Sequence, residues 1–265
     1  MTLKPIRTLS EIEEDVVVNG IHGIGDAIVS FSLFVECAKR ARTVYLVSLP
    51  QYAVTLRTLY QDIENIQILV VEKVEDIDIF GDKVVPQLVN DGEHFQSIKF
   101  PGMPDMIFLD TDWDRKYYDH FDLPYSLKYK GFKLPRHIEG SDELYERLTE
   151  GETKYALIHN STSITPAGYN IDVAWVRNSL GLDPTVKFIE IKMGITENLM
   201  HYVKLIQNAT EMHVVPSSVF CLTDLMAKDI PAKLFLHDIR MQSHMAYNNP
   251  WNDCKWKLIH YDVKY

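Results

Sequence analysis

The sequence predicts an α/β protein of two Rossmann-like βαβ halves facing one cleft, in a compact version of that arrangement. Three observations lead there. Short apolar runs alternate with segments of helical spacing over residues 15–71, and the same alternation starts again at residue 155. The runs are apolar throughout, as expected of parallel strands covered on both faces. Three of them end in loops rich in glycine, hydroxyl or amide side chains.

In the first half, Asp15–Asn19 is an apolar run that stops at Gly20-Ile21-His22-Gly23-Ile24-Gly25-Asp26. Ala27–Arg40 follows with Ile28, Phe31, Leu33, Phe34 and Cys37 at helical spacing, giving strand, glycine loop and helix. Thr43–Ser48 is the next strand, Tyr52–Tyr60 a helix and Ile66–Val71 a third strand. The middle is less regular. Glu75–Gly81 is acidic, Met106–Leu109 is a short apolar run, and Arg115–Arg136 is dense in tyrosine, phenylalanine and lysine. Ser141–Glu150 reads as an amphipathic helix capped by Ser141.

Glu150-Gly151-Glu152 is the expected hinge, dividing a first domain at 1–150 from a second at 151–265. Beyond it, Tyr155–His159, Lys187–Ile191, Met212–Val215 and Lys233–Leu236 read as strands, with helices at Glu197–Ala209 and Ser218–Ala227 and a closing segment at Trp251–His260.

Composition narrows the function classes. At 265 residues the chain has room for two small domains. A formal charge of -10 and a pI near 5.4 oppose a broad nucleic-acid footprint, which needs clustered Lys and Arg. The widely spaced Cys37, Cys221 and Cys254 offer neither a CxxC metal site nor a disulfide framework. No window approaches the roughly 18 apolar residues of a membrane span. With no signal peptide evident at the N-terminus, the expected setting is the cytoplasm.

Ligands of open parallel sheets bind at the carboxyl ends of strands, which makes the three polar junctions the candidate sites. At the first, Gly23 and Gly25 allow close backbone approach, and Asp26 at the start of the following helix is either its cap or a catalytic carboxylate. The dinucleotide fingerprint fails, because Ile28 stands where its third glycine belongs. At the second, His159, Asn160 and Ser161 suit a phosphate or sugar, or are ordinary loop polarity. At the third, Ser217, Ser218 and Val219 open a helix whose N-terminus either is simply capped or also holds a diphosphate. Asp110, Asp112 and Asp114 alternate like an acidic metal motif but lack the glycine and glutamate of a calcium loop. No metal site is expected. Neither HExxH nor GxSxG occurs, which removes the commonest hydrolase readings.

Together the junctions resemble those of GT-B glycosyltransferases, and the pattern is most like that of bacterial heptosyltransferases and their relatives. Gly25-Asp26-Ala27-Ile28-Val29 resembles the Gly-Asp pair that opens a helix in that family. Phe188–Met193, Gly194, Asn198–Ala209, Glu211–Val215 and Ser217-Ser218-Val219 resemble its C-terminal run. Tyr117–Arg136, with the Ser217-Ser218 turn, is also similar to uncharacterised glycosyltransferase-like proteins, including viral ones. Two departures stand out: Val219 replaces the family's glycine, and the family's lysine is missing from His159–Thr165.

The resemblance implies an inverting, metal-independent glycosyltransferase with no cofactor beyond its donor substrate, a nucleotide-diphosphate sugar, and with a carbohydrate or other hydroxyl acceptor. Asp26 would be the general base and His22 its reserve. Gly23, Gly25, His159, Asn160, Ser161, Gly194, Ser217, Ser218 and Val219 would line the ligand sites, and Lys192 or Arg240 would supply positive charge to the diphosphate. The rivals are a non-catalytic nucleotide or sugar-nucleotide binding protein on the same fold, a dinucleotide-dependent oxidoreductase or epimerase, and a partner-binding protein.

Overall fold

The computed structural model describes residues 4–19, 23–72, 95–99, 113–160, 171–192 apart from 173, 174, 177, 179 and 184, then 194–238 and 256–260. The class is α/β, as expected, with two five-stranded sheets among the described residues. By contacts the chain divides into two compact units, Met1–Arg136 and His137–Tyr265.

In the first unit, strands β1 (Lys4–Pro5), β2 (Asp15–Asn19), β3 (Val44–Ser48), β4 (Ile66–Val70) and β5 (Phe95–Lys99) form a parallel sheet in the order β1-β5-β2-β3-β4. Val16, Val17 and Val18 of central β2 are all 0% exposed, so successive side chains bury on opposite faces. Each contributes about 1.5–3 kcal/mol relative to exposure. Arg42 fixes the start of β2 by donating from Nε and Nη2 to the two Asp15 carboxylate oxygens at 2.9 and 2.6 Å. These bonds, led by the one from Nε and Nη2 of Arg42, hold the Asp15 carboxyl below its usual range.

The single helix expected over Ala27–Arg40 is two: α1 (Ile24–Val29) and α2 (Phe31–Ala38), broken at Ser30. At the break the Ala27 carbonyl accepts from the Tyr60 hydroxyl at 2.8 Å and the Val29 carbonyl from the Tyr118 hydroxyl at 2.7 Å. Helix carbonyls turned away from the backbone ladder thus find side-chain donors. Tyr60 ends α3 (Pro50–Tyr60), and Tyr118 belongs to α4 (Trp113–His120) in the tyrosine-rich segment. After α5 (Leu127–Lys130), a Cβ on Gly131 would stand 2.7 Å from Ser32 Oγ, so only glycine lets this segment close on α2.

The second unit opens with α6 (Ser141–Thr149). The expected Ser141 cap is not made: Gly140, at φ 79°, occupies the N-cap position. The Ser141 hydroxyl instead donates to the His201 carbonyl at 3.1 Å and accepts from Lys204 N at 3.3 Å. The expected hinge residues close α6, with Glu150 and Gly151 both at positive φ.

Strands β6 (Tyr155–His159), β7 (Lys187–Glu190), β8 (Glu211–Val214), β9 (Lys233–Asp238) and β10 (Trp256–His260) form a parallel sheet in the order β10-β9-β8-β6-β7. The closing segment is therefore a fifth strand over its last five residues. The helix expected at Glu197–Ala209 is a 3₁₀ turn at Leu199–Tyr202, capped by Asn198, running into α7 (Val203–Asn208). Helix α8 (Ser218–Met226) buries every residue from Val219 to Met226. Glu75–Gly81, Met106–Leu109, Asp110 and Asp112 lie outside the described residues. Among the described residues, no helix is long and apolar enough to cross a membrane.

Candidate functional site

Each sheet has one point where successive connections leave in opposite directions, and such a point opens a crevice at the strands' carboxyl ends. In the first sheet it lies between β2 and β5, because β3 and β4 continue to one side of β2 and β5 pairs on the other. The glycine loop leaves β2 at this point. In the second sheet it lies between β6 and β8, where His159 is in register with Val214. The loops carrying His159-Asn160 and Ser217-Ser218 leave from there.

At the first switch point, Gly23 is the N-cap of α1, in extended conformation at φ -147°, and Gly25 and Asp26 are in its first turn. Asp26 is half-buried, and its Oδ2 would lie 3.4 Å from a Cβ at position 23, so its carboxylate folds back toward the helix start. A carboxylate in a first turn is favoured by the helix dipole. Its charge reaches the Tyr117 hydroxyl on α4: burial pushes the Tyr117 pKa up, and Asp26 and then Asp114 push it further. His22 lies outside the described residues.

At the second switch point, His159 is buried and its Nδ1 donates to the Ile191 carbonyl at 3.1 Å. This bond fixes the ring across the end of β7. Asn160 is half-buried and spans the same edge, donating from Nδ2 to Glu190 Oε1 at 3.3 Å and accepting from Ile171 N at Oδ1 at 2.9 Å. Ser217 caps α8 by accepting from Phe220 N at 3.3 Å, and Ser218 begins the helix half-buried. Val219 is buried, so a side chain packs where the resembling family has a glycine.

Lys192 pairs with Glu190 at 2.8 Å on the exposed rim, and Gly194 turns the chain at φ 85°. Ser161 and Arg240 lie outside the described residues. Thus His159, Asn160, Ser217 and Ser218 are brought to one sheet edge, with Lys192 just beyond neighbouring β7. Backbone N–H groups and hydroxyls at such an edge suit a phosphate.

Two buried polar clusters gave no sequence signal. In the first unit, Lys128 has 0% side-chain exposure and donates to Asp114 Oδ2 at 2.7 Å. Tyr125 donates to the same oxygen at 2.6 Å, and Tyr129 accepts from the ammonium at 3.2 Å. Asp114, the last member of the alternating acidic run, is therefore engaged by a lysine. Among the described residues, no group of three His, Cys, Asp or Glu side chains could hold a metal ion. The second cluster joins β8 to β9: His213 Nδ1 lies 3.1 Å from His237 Nε2, and the His213 ring stacks on Phe235 at 4.5 Å. Burial lowers the two histidines to about 4 and about 3, with His213 adding to the effect on His237.

No family model and no curated protein sequence matches the chain. Among solved structures, the chain is similar to the glycosyl transferase family 9 protein from Veillonella parvula DSM 2008, with a TM-score of 0.52 at 11% identity, over 96% of this chain and 88% of that one. The likeness is one of fold.

Proposed function

We propose that the chain is a glycosyltransferase that moves a sugar from a nucleotide-diphosphate sugar to a carbohydrate or other hydroxyl acceptor, with inversion and without a metal. The observation that carries this reading is topological. Both parallel sheets place their polar strand-end loops at their switch points, one with the Asp26 carboxylate and the other with Ser217-Ser218 at a helix N-terminus. The likeness in fold to a family 9 glycosyl transferase, nearly end to end, supports the same reading.

In the proposed reaction Asp26, as carboxylate, takes the proton of the acceptor hydroxyl while that oxygen attacks the anomeric carbon from the face opposite the leaving group. The bond to the diphosphate oxygen breaks, and the nucleoside diphosphate departs with the electron pair. Its growing charge meets the N-terminus of α8 and the hydroxyls of Ser217 and Ser218. His159, held by Ile191, and Asn160 line the donor side, and Lys192 would add positive charge by leaving Glu190. Gly23 and Gly25 give the acceptor close access to the backbone beside Asp26.

Thermal unfolding in the presence of UDP, GDP, dTDP, CMP and ADP sugars tests the donor half of this proposal. A ligand that binds the native state alone raises its apparent stability by mass action, about 2.7 kcal/mol at a hundred times Kd. One nucleotide sugar should raise the melting temperature, with and without magnesium. No rise with any of them overturns the donor assignment.

A further inference from the structure

We propose that Glu211, His213 and His237 form a buried proton relay across β8 and β9, in which a proton arriving at His237 Nδ1 is stored on the Glu211 carboxylate while both rings stay neutral. The inference goes beyond the transferase reading and does not depend on it.

Residues two apart on a strand share one face of the sheet. Glu211 and His213 do so on β8, and Lys233, Phe235 and His237 on β9, with Glu211 in register with Lys233 and His213 with Phe235. Glu211, His213 and His237 are all buried. His213 joins the other two, its Nδ1 lying 3.1 Å from His237 Nε2 and its Nε2 3.7 Å from Glu211 Oε2. The stack on Phe235, with the rings 2° from parallel, holds the His213 plane. Neither His213 Nε2 nor Glu211 Oε2 has a hydrogen-bond partner. Unpaired buried polar atoms are rare, and here two of them face each other. A shift of about half an ångström brings them to ordinary N–H···O length.

A neutral imidazole carries one N–H. Facing a carboxylate, His213 holds it on Nε2. Its Nδ1 then accepts, so His237 holds its own proton on Nε2 and keeps Nδ1 as its proton-accepting atom. When a proton arrives there, His237 passes its Nε2 proton to His213 Nδ1, and His213 passes its Nε2 proton to Glu211 Oε2. One proton has been added. The carboxylate has become a carboxylic acid that donates to His213 Nε2, and both rings have exchanged tautomers without charging. Burial favours this end point, because it opposes charge on both imidazoles and holds the Glu211 carboxyl above its ordinary range.

The neighbouring charges act on Glu211 in opposite senses: the Lys233 ammonium, 3.7 Å from Oε1, favours the carboxylate, and Asp183 disfavours it. On β6 the neighbours in register are Ala156 and Ile158, followed on β7 by Phe188 and by Glu190, which Lys192 and Asn160 engage. On β10, exposed Lys257 stands beside Phe235, and Ile259 beside His237. Ile171 and Val176 pack over Ile158. The carboxylate that meets a ring nitrogen of the row is that of Glu211.

The test follows the ring nitrogens of His213 and His237 by ¹⁵N NMR and the Glu211 carboxyl by ¹³C NMR, from about pH 8 to about pH 4.5. His213→Gln, His237→Gln and Glu211→Gln assign the signals. At the upper end both rings should carry their proton on Nε2. As the Glu211 carboxyl takes up its proton, both rings should move to the Nδ1–H form at the same midpoint, with no doubly protonated ring. Glu211→Gln should abolish this common transition. The wild-type titration decides alone if that variant fails to fold. Rings that keep their tautomers while Glu211 titrates, or that charge at separate midpoints, overturn the proposal. So does unfolding before Glu211 is protonated, since the folded chain would then not hold the proton. The measurement uses no substrate, so its outcome is separate from that of the transferase reading.

Discussion

The Tyr118 hydroxyl donates to the Val29 carbonyl at 2.7 Å, and through that bond a residue from the tyrosine-rich segment completes the helix that carries Asp26. Tyr118 is fully buried, so Tyr118→Phe leaves a buried carbonyl without this donor. The expected cost is about 1–3 kcal/mol. Urea unfolding should show a lower midpoint with an unchanged slope. Tyr60→Phe, which strips the neighbouring Ala27 carbonyl, should cost a similar amount. Because both bonds serve one helix break, the double variant should depart from additivity. A Tyr118→Phe protein as stable as wild type contradicts this account of the break.

Lys128→Met should destabilise the protein by roughly 3–5 kcal/mol, because it strands the Asp114 carboxylate in a site with 2% side-chain exposure. Replacing both partners, as in Asp114→Asn/Lys128→Met, should cost less than Lys128→Met alone. Equilibrium denaturation of the two variants decides it, and the opposite order would mean that the ion pair is not the element being lost.

The His213–His237 pair makes stability fall with acid. Burial favours the neutral rings, whose folded values of about 4 and about 3 lie below the usual 6.5. The unfolded chain therefore binds more protons between those limits. Stability present above about pH 6.5 is lost as pH falls toward 4, by up to about 1.4 kcal/mol per pH unit for each histidine. Glu211, whose carboxyl burial holds above its ordinary value of 4.5, acts in the opposite sense just above that value. Denaturation midpoints measured from pH 7 to pH 5 should decline in wild type and decline less in His237→Leu. Parallel declines in the two proteins would remove the pair as the cause.

Ser217→Ala removes the acceptor for Phe220 N at the start of α8 and should cost about 0.5–2 kcal/mol. Under the proposed function it also weakens nucleotide-sugar binding, whereas Ser217→Thr retains both the cap and the ligand. Thermal unfolding with and without nucleotide sugar separates the two effects. Equal ligand-induced shifts in wild type and Ser217→Ala would take Ser217 out of the donor site.

The parts of the fold legible in the sequence are those whose signal is local. Val16–Val18 and Tyr155–Ile158 are apolar on both faces, as a covered parallel strand requires, and the β-branched content and the polar loops that bound them favour strand over helix. Strand β5 carries no local signal, because Phe95–Lys99 holds two apolar residues, Phe95 and Ile98, that share neither an unbroken run nor a period of two. Its Gln96 is buried by hydrogen bonds to Glu13 N and the Glu11 carbonyl, more than eighty residues away in sequence. The break at Ser30 was hidden for the same reason, since its stabilising donors come from Tyr60 and Tyr118. The strand-end loops could be picked out from composition, but their shared position at the switch points depends on strand order. Nothing local links Asp114 to Lys128 or His213 to His237. Those pairings exist only once α4 meets α5 and β8 meets β9.

Under the proposed function, Asp26 removes the acceptor proton. The most direct measurement is turnover of the nucleotide sugar identified by thermal unfolding, with a hydroxyl acceptor, by wild type and Asp26→Asn side by side. Loss of a general base typically lowers the rate by about 10²–10⁴-fold. Asp26→Asn should lose kcat by that factor while binding the nucleotide sugar as wild type does. A variant that binds the donor and turns over at the wild-type rate would contradict the account.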